Sequence, residues 1–181
     1  TDITERKRAE EALRVSEEKY RRLFSEMFTG AALHQIVCDA EGRAVDYITL
    51  EVNHAFEVIL NAPREAVVGR RASAVLPAEE LEHWLEVFGP VALTGQSTRY
   101  ELYSASNNKY FEGSAYCPAV GQFAVTFYDV TERKRAEEAL RDSVRRERER
   151  AAELQTIMDV VPASILIAHD QMCQLVTGNR A

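Results

Sequence analysis

The chain has 181 residues, 46% of them hydrophobic and 28% charged, with a net charge of −7. That balance belongs to a water-facing globular protein, and no apolar run reaches the length of about 20 residues that spans a bilayer, so no membrane partner is expected. A phosphate-binding surface needs a basic footprint; here the arginines are interleaved with glutamates, which argues against nucleic acid as a partner.

The chain opens Thr1-Asp2-Ile3-Thr4 with neither an initiator Met nor a leader, and reads as an interior piece of a longer protein. From Glu5 to about Phe24 there is neither Gly nor Pro, and Arg6, Ala9, Leu13, Ser16, Tyr20 and Leu23 recur at steps of three and four, which predicts a helix with a seam along one side. Between Ala31 and Asn53 the runs AALHQIVCD and VDYITLEVN are extended and rich in β-branched residues; with Gly42 turning AEGRA between them they predict a β-hairpin. Two short helical pieces follow, NHAFEVIL and PREAVVG, with Pro63 suited to a first turn and Gly69 to a stop. A longer helix is expected from Pro77 to Gly95, kinked or divided at Gly89-Pro90 because Pro90 offers no amide hydrogen.

Three strands close the pattern: STRYELYSAS, NKYFEGSAYCP after an Asn107-Asn108 turn, and QFAVTFYDV after a break over residues 118–121. The fold class is therefore α+β, a five-stranded antiparallel sheet covered by short helices and flanked by long helices of coiled-coil type. Alternation puts Phe123, Val125 and Phe127 on one face, which Phe56, Ile59, Leu60, Trp84, Val87, Phe88 and Val91 would cover. The eight glycines are read as turn residues. Cys38, Cys117 and Cys173 lack CxxC or His-bracketed spacing, which disfavours disulfides and zinc, fits a reducing cytoplasm, and leaves all three as packing residues.

The strongest long-range signal is a duplication. TERKRAEEALR, Thr4 to Arg14, recurs verbatim from Thr131 to Arg141, a shift of 127 positions. Repetition at the period of a small domain marks one module held between two copies of the same connector. The domain reading that follows is a junction and linker helix over 1–19, the module over 20–131, an output helix over 132–156, and the truncated start of a second module over 157–181, where Asn179-Arg180-Ala181 stand as Asn53-His54-Ala55 do.

The element order, the Asn53-His54-Ala55-Phe56 helix start, Val67 to Arg70 (VVGR), the SAYCP run and Asp129-Val130-Thr131 together resemble a PAS domain, in particular the modules of bacterial sensor histidine kinases and cyclic-di-nucleotide signalling proteins. The resemblance covers residues 20–131. It implies a cytoplasmic sensory or relay module in which the Asp-x-Thr triplet ends the sheet and begins an output helix; the triplet stands twice, as Asp2 and Thr4 and as Asp129 and Thr131. Asp129 would accept backbone hydrogens there, with Thr131 as the cap.

Two devices could then operate. One is a small-ligand pocket among Phe56, Trp84, Phe88, Tyr116, Phe123 and Val125; the alternative is that these side chains simply fill the core. The other is a homodimer through the flanking helices, with Leu13, Leu140 and Leu154 on the seam. From Thr131 to about Val161 that seam, Ala136, Leu140, Ser143, Glu147, Arg150, Leu154 and Ile157, is apolar at its ends and polar in its middle, the pattern of a switch; the alternative is a solvated spacer built on RRERER. The acidic residues Glu10, Glu11, Glu137 and Glu138 lie among arginines and are read as solvated.

Of the family's cofactor signatures, the reactive cysteine of flavin-binding relatives has no counterpart in RRASAVLPAEEL, and haem would rest on His83 alone, a weak ligand signal. His34 and His54 are read as structural or surface residues, and no metal site is expected. Without a nucleophile elbow, phosphate-cradling loop or kinase motif the fragment is not expected to be an enzyme; catalysis would belong to the rest of a parent protein such as a histidine kinase. Two alternatives stay open, a purely structural dimerisation spacer and a haem or redox-cofactor sensor.

Overall fold

Helix comes first, as the absence of Gly and Pro demands: in the computed structural model α1 spans Asp2–Ser25 and carries exposed i,i+3 and i,i+4 pairs such as Arg6 with Glu10 and Arg14 with Glu11 and Glu18. The structure describes residues 2–160, 166–169, 172, 174 and 176–178, with the backbone alone at residues 2–4, 159 and 166. It divides into two units, Thr1–Thr131 and Glu132–Ala181.

In the first unit, β1 (Gly30–Cys38) and β2 (Ala44–Val52) form the expected hairpin, turned at Gly42 with φ +79°. Next come α2 (His54–Leu60), α3 (Arg64–Val67) and a 3₁₀ turn at Ala72–Ala74. Then α4 (Ala78–Thr94) leads to β3 (Thr98–Ser104), β4 (Lys109–Tyr116) and β5 (Gln122–Asp129). The antiparallel sheet has the order β2-β1-β5-β4-β3, so the first hairpin joins the last strand and β1 and β5 sit at its centre. α4 is continuous through Pro90 rather than divided. Phe88, Val91 and Ala92 on either side of Pro90 are buried, and that packing holds the helix together where one ladder hydrogen bond is missing.

The core lies between one sheet face and the helices. Ala32 and Ile36 of β1, Tyr100 and Leu102 of β3, Phe111 and Ala115 of β4, and Phe123, Val125 and Phe127 of β5 meet Phe56, Phe88, Val91 and Ala92. Not all the glycines sit at turns. Gly30 and Gly113 are register partners of Phe127 on its two sides, and Gly89 lies in α4. A Cβ on Gly30 would stand 2.5 Å from the Phe127 ring, and one on Gly113 would strike the Thr126 carbonyl oxygen. Gly30 leaves room for the Phe127 ring, and Gly113 lets β4 lie close to the β5 backbone.

Two buried polar side chains fix the loops. Asn53, the N-cap of α2, accepts hydrogen bonds from the amides of Ala31 (2.8 Å) and Phe56 (2.9 Å) and donates to the Thr29 carbonyl. Asp46 accepts from the Ser73 hydroxyl (2.6 Å) and amide (3.1 Å), holding the 3₁₀ turn against β2. Cys117 packs on the core, but Cys38 is exposed at the end of β1 and is no packing residue; Cys173 lies outside the described residues.

In the second unit α5 (Thr131–Val160) runs for 30 residues, charged and exposed along most of its length, with Arg145 placed against Asp142 and Glu149. A two-stranded antiparallel ribbon, β6 (Leu166–Ala168) and β7 (Val176–Gly178), follows. Residues 179–181, expected to match Asn53-His54-Ala55, lie outside the described residues. Among the described residues no helix is long and apolar enough to cross a membrane.

Candidate functional site

Between the sheet and α2–α4 lies a cavity of about 300 Å³, at the lower edge of the roughly 300–1,000 Å³ usual for small-molecule sites. A larger cleft beside α1, lined by Val15, Leu23, Glu51 and Arg64 among others, is a surface groove; the smaller cavity is the one set among buried aromatic side chains. Its inner wall is a run of stacked rings: Trp84 on Phe88 (5.4 Å between centroids), Phe88 on Phe123 (5.3 Å) and Phe123 on His34 (4.7 Å), with Tyr100 edge-on to Phe88 (5.0 Å). The stack forms because α4 carries Trp84 and Phe88 one turn apart while β5 and β1 pair Phe123 with His34 in register.

Five of the six side chains expected at a pocket line this cavity: Phe56, Trp84, Phe88, Phe123 and Val125. Tyr116 does not. In β4 the inward set is Phe111, Gly113 and Ala115, so Tyr116 alternates to the opposite face and is about half exposed. His83, the sole haem candidate, is also half exposed, lies beside Glu86 and is not part of the lining. Among the described residues no three His, Cys, Asp or Glu side chains gather as a metal site would need.

His34, read as structural or surface, and Glu80 line the cavity although neither is among the side chains expected there. His34 is buried, with Nδ1 3.2 Å from the Thr49 hydroxyl, and burial pushes its pKa down to about 3, so the ring is neutral. Alternation along AALHQIVC, which puts His34 on the side of Ala32 and Ile36, was the available signal. Glu80 is 8% exposed and accepts hydrogen bonds from the Ser104 hydroxyl (2.5 Å), the Ser106 amide (3.2 Å) and the Trp84 indole (3.4 Å). Burial raises its carboxyl, but these donors, Ser104 foremost, outweigh that and hold it below the usual carboxylate range. No sequence pattern separates Glu80 from its solvated neighbours Glu79 and Glu82.

The other expected device is the end of β5. Asp129 Oδ1 accepts from the Thr131 amide (3.0 Å) and hydroxyl (2.5 Å), while Oδ2 pairs with Lys109 Nζ at 3.0 Å. Burial raises the Asp129 carboxyl, and Thr131 followed by Lys109 more than offsets this, leaving it lowered. Thr131 Oγ1 accepts the Tyr110 amide (2.9 Å), and the Val130 amide bonds to the Tyr110 carbonyl. Asp129 receives the first helical amide, as expected; the role of Thr131 differs, since it ties the chain to β4 in place of capping its own helix. Lys109 also donates to the Ile59 carbonyl in the last turn of α2 (2.7 Å). At the first copy of the triplet the backbone of residues 2–4 is part of α1; the side chains of Asp2 and Thr4 lie outside the description. Leu13, Leu140 and Leu154 are all largely exposed.

No family model and no curated protein matches the chain. Solved structures resemble it in fold. A domain of the HTR-like protein from Haloarcula marismortui ATCC 43049 is 20% identical with a TM-score of 0.45, over 58% of this chain and 100% of that one. The PAS domain of the HTR-like protein from Haloarcula marismortui is 19% identical with a TM-score of 0.46, over 68% and 98%. The Rhodobacter sphaeroides LOV protein is 16% identical with a TM-score of 0.46, over 70% and 73%. The five-stranded antiparallel sheet and its helical cover, described above from the chain itself, are the fold that the PAS resemblance of the sequence implies.

Proposed function

We propose that residues 20–131 form a PAS-type sensory and relay module of a cytoplasmic signalling protein whose output is a histidine kinase, and that the fragment catalyses no reaction itself. In this reading a small ligand in the cavity, or strain arriving through the linker helix of residues 1–19, alters the β5 end, and residues 132–156 carry the change to the next module, which begins at 157. The module works as a homodimer through its flanking helices, for which the exposed Leu13, Leu140 and Leu154 are available.

One observation carries the reading: a buried cavity and a helix start are tied to the same strands, through Lys109, Asp129 and Thr131. A merely structural spacer has no use for that connection. His83, on which haem would rest, does not line the cavity.

The test is Asp129→Ala. In the 181-residue chain the first-turn amides of α5 should exchange hydrogen about fivefold faster, as expected for a lost cap of about 1 kcal/mol, while the β1 and β5 amides keep their protection. In the parent protein the same change should uncouple input from output; equal output with and without it refutes the relay. Native mass spectrometry tests the dimer in the same samples, and a monomer at micromolar concentration refutes that part.

A further inference from the structure

The cavity holds a charge that the fold meets with neutral hydrogen-bond donors and no counter-ion. Of the side chains lining it, Glu80 is the single carboxylate, and the lining contains no Lys or Arg. His34, the one other titratable candidate for a positive charge, is kept neutral by burial. The three donors to Glu80, from Ser104, Ser106 and Trp84, are themselves neutral, and among the described residues no cationic side chain stands within ion-pair distance of it.

Glu80 is nine-tenths buried and stays ionised without a counter-charge, its donors holding it below the usual carboxylate range. Buried charges are ordinarily paired or bound to a cation. The three donors hold the carboxylate through both of its oxygens, Ser104 and Trp84 on one and the Ser106 amide on the other, but they do not neutralise it. A positive group supplied from outside the chain would. The opposite wall suits such a guest, because Trp84, Phe88, Tyr100 and Phe123 offer apolar surface to a small body and their rings attract cations. An anion would meet the carboxylate at low dielectric with nothing to offset the repulsion.

We propose that the cavity binds a small organic cation, an amine or quaternary ammonium on a body no larger than a single ring or short alkyl chain, with its positive group against Glu80 and its body between Trp84, Phe88 and Phe123. This rests on the reading of the unit as a sensory module and names the class of ligand it senses.

Trp84 is the chain's single tryptophan, so its fluorescence reports occupancy directly. The 181-residue chain at pH 7 is titrated with three probes of one shape: phenethylammonium, 2-phenylethanol and phenylacetate. Phenethylammonium should saturate with a Kd at least about tenfold below that of the alcohol, and phenylacetate should give no saturable change. Glu80→Gln, which keeps the size of the side chain and its acceptor oxygen, should erase the preference for the cation. If that variant does not fold, the ranking on the unaltered chain decides alone. Equal or tighter binding of the alcohol or the carboxylate overturns the charge assignment and leaves the sensory reading standing. No saturable binding of any probe overturns the proposal together with the ligand arm of that reading, while the relay arm stands or falls with Asp129→Ala.

Discussion

The neutral His34 should make the domain lose stability in mildly acid solution, before its carboxylates titrate. The groups facing the ring are the Thr49 hydroxyl, the edge of Tyr47 and the face of Phe123, none of them an acid, and burial alone lowers its pKa from 6.5 to about 3. Because the folded value lies below the unfolded one, the unfolded chain takes up a proton that the native state refuses, and stability falls as pH drops from about 6.5 toward 3. The slope approaches about 1.4 kcal/mol per pH unit, and between pH 7 and pH 5 the loss sums to about 2 kcal/mol, whatever the folded value, provided it lies below 5. Glu80, Asp129 and Asp39 are lowered from carboxylate values of 4.5 and 3.8, so what they contribute is lost below this window. For a body of this size about 2 kcal/mol is a fall in Tm of roughly 10 °C. Urea or thermal unfolding followed by Trp84 fluorescence at pH 7, 6 and 5 measures it, with His34→Gln, which keeps a partner for Thr49 and does not titrate, as the comparison. Parallel pH dependences for the two proteins would refute a buried neutral histidine.

Asn53→Ala should destabilise the unit by about 3 kcal/mol in urea unfolding, since it strands the buried amides of Ala31 and Phe56 and removes the cap of α2. Gly113→Ala should cost about 3 kcal/mol or more, because its Cβ would strike the Thr126 carbonyl, which is backbone and cannot swing aside; circular dichroism melts will read the loss. Lys109→Met, which keeps the apolar stem and removes the charge, should cost about 1 kcal/mol, the ion pair with Asp129 being only partly buried. Combined with Leu60→Ala at the cavity, Asp129→Ala should show a coupling of about 1 kcal/mol in a double-mutant cycle although the two side chains belong to different sites; additivity within roughly 0.5 kcal/mol would sever cavity from junction.

What could be read before folding was what local periodicity controls. The hairpin, the three later strands and the long helices follow from alternation and from breaker residues whose effect is felt within a few positions. Tyr116 was mis-sided because an aromatic residue near a strand end looks like core, whereas Gly113 and Ala115 look like nothing; yet the small residues are the buried ones, leaving room for Phe127 and for α4. Gly30 and Gly113 read as turns because their purpose lies across the sheet, in the Phe127 ring for the one and the β5 backbone for the other. Glu80 was invisible for the opposite reason: its donors Ser104 and Ser106 come from the β3 end, and a lone acid in a helix is solvated far more often than buried. The bond of Thr131 to β4 depends on Tyr110 of the neighbouring strand, which no motif contains.

The connection between cavity and helix start is short enough to follow atom by atom. α2 supplies Phe56 and Leu60 to the cavity, and the same helix ends at the Ile59 carbonyl, held by Lys109. Lys109 opens β4, whose Phe111 also lines the cavity and is the register partner of Asp129. A guest that displaced α2 by a fraction of an ångström would have to stretch the 2.7 Å bond from Lys109 to Ile59 or draw the lysine away from Asp129, and the carboxylate would then hold the Thr131 amide and hydroxyl with less support. Hydrogen bonds weaken steeply over such distances while packed helices resist bending, so the strain collects in the polar junction. In the proposed relay, an ion pair between an aromatic cavity and the first amide of a 30-residue helix would convert a small change of volume into a change in how firmly that helix begins.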